Sequence, residues 1–179
     1  MPIITQPDSE VPSILDVEAS GFGAGSYPIE IGYISGDGSS YCTLIRPAPT
    51  WTHWDPTAQA MHGISREVLL RYGRDATEVA RDLNQRLNGA VLYSDGWGYD
   101  FAWLAKLYDE AGLLPRFRIE SLRSLLNDAE AARWHATKDS VTADTHSSRH
   151  RASTDALVLQ RTLLRVKGIP GSDPGARAV

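Results

Sequence analysis

Asp16 and Glu18, in the stretch SILDVEASGFG, stand among Ile14, Leu15 and Val17, where the other side chains ask to be buried. Aspartate is depleted in strands, and a charge removed from water needs a partner. Side chains of a strand alternate faces, so residues two apart point the same way and these carboxylates form a pair. Taken alone, such a pair fits the solvated face of an edge strand as well as a shared cation. A third carboxylate, Asp155, lies in HRASTDAL, with Val158, Leu159 and Thr162 following at helical spacing, on or beside an inward face. His150 stands five residues earlier, near the expected helix start. Asp100, in SDGWGYDFAWL, follows a strand-to-helix turn, a position that equally suits a helix cap. All four acids fall at strand ends or helix starts, which can converge at one edge of an α/β sheet. Carboxylates brought together repel unless cations join them, and an all-oxygen site suits Mg²⁺ or Mn²⁺.

The elements that must position these groups are readable from the apolar pattern. Strands are expected at 12–18, at 28–34 (PIEIGYI, alternating with period two) and at 41–46. The turn stretches SGFGAGS and SGDGSS separate them, which predicts an antiparallel three-strand meander. An irregular, Trp-bearing loop, RPAPTWTHWDP, leads to helical spacing at 56–61 and 65–71. A further helix lies in TEVARDLNQRLNG, where Val79, Leu83 and Leu87 recur and Gly89 ends the run. AVLYS at 90–94 reads as a buried strand, followed by a helix with Phe101, Leu104, Leu107 and Tyr108 on one side and Gly112 at its close. FRIESL reads as a last strand, and SLLNDAEAARW and RASTDALVLQRTLLRV as helices. The sum is an α/β domain on a mixed central sheet flanked by helices.

Composition narrows the classes. With 179 residues, 42% hydrophobic and 22% charged, the chain suits one globular domain, expected over 1–168 with a flexible tail at 169–179. Cys42 is the only cysteine, which excludes an intramolecular disulfide and a thiolate metal cluster and suits a reducing, cytoplasmic setting. No targeting segment or run of membrane-spanning length is read, so no membrane partner is expected. A net charge of -4 argues against coating nucleic acid by bulk electrostatics. No basic, aromatic-interleaved run marks a long strand track, so short substrates fit.

In chain order, LDVEASGFG, YPIEIGY, MHGIS, GYDFAWL and HRASTDAL resemble the motifs of the DEDDh family of 3′-to-5′ exonucleases. That family includes ribonuclease T, oligoribonuclease and the proofreading subunit of bacterial replicative polymerase. The resemblance implies a ribonuclease H-like fold and release of 5′-mononucleotides from the 3′ end of single-stranded or short nucleic acid. Its four metal-binding acids fall on Asp16, Glu18, Asp100 and Asp155, and its general-base histidine on His150. It implies two divalent cations, Mg²⁺ or Mn²⁺, roughly 3.5–4 Å apart. By the same resemblance, Asp16 would bridge both, Glu18 and Asp155 complete the site nearer the attacking water, Asp100 support the second cation, and His150 take the proton from water.

The same resemblance places Ala19, Ser20, Gly21 and Phe22 around the 3′-terminal nucleotide, His62 of MHGIS close to the groove, and Tyr99 where the family has Phe before the third acid. Phe22 is equally suited to stacking on a base and to packing its own turn, and His62 to ending a helix before Gly63. Trp51, Trp54 and Trp97 suit loop anchoring more than base contact. One departure stands out: Asp95 and Gly96 occupy the region where the family usually has Asn, adding negative charge near a phosphate path. Asp95 itself suits a turn residue bonding its own backbone. Two other classes share the core: a non-catalytic module of this fold that binds nucleic acid or protein, and a phosphodiesterase acting on dinucleotides. Oligomeric state is left open, a homodimer included.

Overall fold

A computed structural model describes residues 11–145 and 151–169, so His150 and all but the first residue of the expected tail lie outside the described residues. Five strands form one sheet: β1 (Ser13–Ala19), β2 (Pro28–Ile34), β3 (Ser40–Leu44), β4 (Val91–Ser94) and β5 (Arg118–Ser121), in the order β3-β2-β1-β4-β5. β1, β2 and β3 form the antiparallel meander, whereas β4 runs parallel to β1 and β5 parallel to β4. The Asp-x-Glu strand is therefore the central one, and the exposed-edge arrangement does not occur.

Alternation along β1 sends its two faces into different layers. Leu15, Val17 and Ala19 join Ile31, Leu83, Leu92, Trp103, Leu104 and Leu107 in one core. The helices there include α3 (Ala76–Arg86) and α4 (Trp97–Ala111), reached after the short α1 (Pro56–His62) and α2 (Arg66–Tyr72). Ile14 turns the other way and packs with Ile34, Trp134, Ala156, Leu159 and Leu163, beneath α5 (Asp128–Thr145) and α6 (Ala152–Lys167). Burial of each such aliphatic side chain contributes about 1.5–3 kcal/mol, so the pleat alone fixes which face β1 gives to α6. Asp16 and Glu18 share the face of Ile14.

The start of α6 sits unusually close to the sheet. At Gly32, the register partner of Asp16 on β2, a Cβ would overlap the backbone of Ala152 and Ser153. The next residue on that face, Glu30, is the register partner of Glu18 and is fully buried. Its carboxylate accepts from Arg151 Nε at 2.8 Å, Arg151 Nη2 at 2.5 Å and the Ala152 N–H at 2.9 Å. A buried charge needs such pairing, and here the pairing ties the last helix to the meander.

Two expectations are corrected. The stretch SLLNDAEAARW is not one helix: Leu122–Leu125 form a 3₁₀ turn, and α5 begins at Asp128 and runs well past Trp134, to Thr145. Asn127 and Glu130 bond each other's backbone N–H at 2.9 Å, a reciprocal box that starts the helix there. Its later turns bury only Val141, so the apolar periodicity that marks a helix is missing from them. On α4, Phe101 is 53% exposed and Trp103 takes its place on the inward face. Among the described residues no helix is long and apolar enough to cross a membrane.

Candidate active site

Three of the four expected acids meet. Asp16 and Glu18 from β1 and Asp155 from the first turn of α6 each offer a carboxylate oxygen, all within 4.8 Å of one another, and all three residues are partly exposed. Asp155 is held there by what precedes it: its N–H donates to the Arg151 carbonyl at 2.9 Å, and Arg151 is fastened to Glu30.

Asp100 stands outside this tight trio and approaches from the opposite layer. It is 3% exposed, on the first turn of α4. No side chain caps that helix, so Asp100 is not the cap its position allowed; its carboxylate instead accepts from the Ser94 hydroxyl at the end of β4. The acids thus gather at the carboxyl end of the parallel strands, where open α/β sheets bind ligands.

Electrostatics give the cluster its character. Burial, and then the charges of Asp100, Glu18 and Asp155, push the Asp16 carboxyl well above its ordinary range, against the charge of Lys138. Asp100 is pushed up to about 7, chiefly by burial and further by Asp95, against the hydrogen bond from Ser94. Hard oxygen donors that repel one another in a half-buried recess fit a divalent cation of the Mg²⁺ or Mn²⁺ type, which removes that repulsion.

The segment after Glu18 forms the mouth. Ala19 and Ser20 are buried; Ser20 Oγ accepts from the Tyr27 N–H at 3.1 Å and lies 3.0 Å from His53 Nδ1. Gly21 has φ +142°, and a Cβ there would meet Asp55 Cβ at 2.6 Å and His53 Cε1 at 2.8 Å, so only glycine fits the passage. Phe22, 62% exposed, meets Tyr99 edge-on with centroids 5.1 Å apart, and Tyr99, 57% exposed, stacks on Trp103 at 5.7 Å. Phe22 and Tyr99 therefore present ring surface to solvent from a Trp103 anchor that itself donates to Ser26.

His62 is placed differently from Phe22 and Tyr99. It is 2% exposed, its Nδ1 accepts from the Ile64 N–H at 3.0 Å, and Trp54 meets it edge-on. Trp51 is buried against Tyr27, and the indole N–H groups of Trp54 and Trp97 donate to Gln59 and the Ile119 carbonyl. Two residues near the site escape sequence reading. His53 lies in a loop with no periodicity to mark it. Lys138 sits in the part of α5 that the apolar pattern misses, and its Nζ is 3.0 Å from Asp95 Oδ2. Asp95 thus bridges to α5 rather than serving only its own turn.

No family model and no curated protein matches the chain. Solved structures of similar fold do exist. Exonuclease I from Methylocaldum szegediense matches with a TM-score of 0.62 at 13% identity, covering 86% of this chain and 40% of that one. E. coli exonuclease I in complex with a dT13 oligonucleotide matches at 0.66 and 13%, covering 86% and 41%. The zinc-bound form of the E. coli exonuclease I–single-stranded DNA complex matches at 0.64 and 14%, covering 92% and 42%. The chain thus spans about two fifths of the length of these structures. At such identities the likeness establishes the fold: a ribonuclease H-like α/β sheet of the exonuclease I type.

Proposed function

We propose that the protein is a metal-dependent 3′-to-5′ exonuclease acting on single-stranded or short nucleic acid. The observation that carries the reading is the meeting of Asp16, Glu18 and Asp155 at one point of the sheet, with Asp100 acting on Asp16 from the other side. That this fold is shared with exonuclease I, solved in complex with oligonucleotides, supports the substrate class.

These four carboxylates would hold Mg²⁺ or Mn²⁺, which supplies charge neutralisation at the phosphate and a more acidic water. The chain's own residues do the rest. Ser20 and Gly21 shape a narrow backbone passage beside the acids, and Phe22 and Tyr99 offer ring faces to a terminal base, a contact worth about 1–3 kcal/mol. His150, the residue before the anchored Arg151, accepts the proton of the attacking water. The water oxygen bonds to phosphorus, the P–O3′ bond breaks, the leaving 3′-oxygen takes a proton from solvent, and a 5′-mononucleotide departs from a strand with a new 3′-hydroxyl.

The test is incubation of the protein with 5′-labelled single-stranded RNA, DNA and dinucleotides, with Mg²⁺, Mn²⁺ or excess chelator. Stepwise shortening from the 3′ end with release of 5′-mononucleotides is expected in metal alone, and a 3′-phosphorylated strand resists. Internal cuts, or equal activity in chelator, would overturn the reading.

A further inference from the structure

Trp134, Lys138 and Val141 follow one another at helical spacing along α5, and Trp134 and Val141 are the residues that this helix buries. Lys138 therefore rises from the inward stripe, not from the solvent face. A long cationic side chain at such a border buries its stem and carries its ammonium to the edge of the packed face. There it meets Asp95 at 3.0 Å, with both side chains about two fifths exposed. Its charge also reaches Asp16, against the repulsion from the neighbouring acids. Asp95 in turn belongs to the turn that feeds α4 and lies near enough to Asp100 to act on it.

We propose that Lys138 is a ligand for a phosphate of the incoming strand, and that Asp95 holds it in reserve by ion pairing until that phosphate takes its place. The proposal rests on the nucleic-acid reading of the site. Two physical points carry it. An ion pair this exposed is weak and screened by salt, so exchanging one oxyanion for another costs little. A phosphate approaching four carboxylates has strong need of a positive partner, and a lysine on a fixed helix face supplies a point charge without reorganising the site. The released Asp95 carboxylate stays in water.

Five proteins test this: wild type, Lys138→Ala, Lys138→Arg, Asp95→Asn and the Lys138→Ala/Asp95→Asn double variant. Each is measured for kcat and KM on a single-stranded oligonucleotide in Mg²⁺ across a salt series. Each is also measured for binding of a 5′-fluorescein oligonucleotide in Ca²⁺, which reads affinity independently of turnover. Lys138→Ala is expected to weaken binding about 3–10-fold with kcat little changed, and to lower the slope of log affinity against log salt by about 0.7, the share of one phosphate contact on a single strand. Lys138→Arg restores the slope. Asp95→Asn is expected to tighten binding several-fold, and to do so only when Lys138 is present.

An unchanged slope in Lys138→Ala would overturn the proposal while leaving the nuclease reading standing. Equal tightening by Asp95→Asn with and without Lys138 would show simple repulsion and also overturn it. A wild type that binds but does not cleave would sink the nuclease reading alone, with the binding series still deciding on Lys138. A wild type that does neither would sink both.

Discussion

Asp100 is the least exposed of the four acids, 3% exposed and bonded to the Ser94 hydroxyl. Asp100→Asn keeps the shape and removes the charge. Turnover with Mn²⁺ is expected to fall by about 10²–10³-fold, as when one electrostatic partner of a reacting centre is lost. The melting temperature of the metal-free protein should hold or rise, because a buried charge facing Asp16 is gone. Kinetics and a thermal melt on the same preparation check both halves. For His150→Ala the expectation is a loss of about 10²–10⁴-fold in turnover with strand affinity preserved, read by single-turnover rates beside an anisotropy titration. Two residues with similar sequence credentials thus answer to different measurements: Asp100 through metal and stability, His150 through proton transfer alone.

At the scale of elements, the joint between α6 and the meander decides whether Asp155 reaches the trio. Gly32→Ala forces a methyl into the backbone at Ala152 and Ser153, so stability should drop by on the order of 1–3 kcal/mol. Manganese affinity should weaken with it as Asp155 shifts, which calorimetric titration would detect; an unchanged affinity would mean that the helix start is not what places Asp155. A second joint ties α3 to β3, where Asp82 accepts from Tyr41 at 2.8 Å, Arg74 at 2.8 Å and Arg86 at 2.6 Å. Although burial opposes it, these bonds hold the Asp82 carboxyl down at about 2. A folded value below the unfolded one stabilises above the unfolded pKa, and that stability disappears as pH falls from about 4 toward about 2. Asp82→Asn should therefore be less stable than wild type by on the order of 1–2 kcal/mol at neutral pH, with the two converging near pH 2 in urea melts. Such joints are hardly visible in the sequence. The period-two run in PIEIGYI shows that β2 exists, but nothing in it says that Glu30 waits for an arginine far along the chain. In α5, a box starts the helix locally while its later turns lack the stripe that periodicity detects, so the helix carrying Lys138 reads short.

For the molecule as a whole, cation binding would be linked to folding: the acids converge only in the folded protein, so a cation that joins them would raise stability by mass action. Saturating Mn²⁺, at about 100 times its dissociation constant, should add about 2.7 kcal/mol, and chelator should remove it; a melting temperature indifferent to both would mean that the acids do not act together. The architecture was legible because pleat and turn chemistry are local, and the trio because Asp-x-Glu on a strand and an acid on an inward helix face are local signals too. What brought them together is not local, and neither the burial of His62 nor the Phe22–Tyr99–Trp103 array follows from spacing. The order β3-β2-β1-β4-β5 has one more effect. β1 is made early and α6 late, yet they must meet for the trio to close. A growing polypeptide holds Asp16 and Glu18 long before Asp155 is made, so the trio of acids stays incomplete until α6 docks.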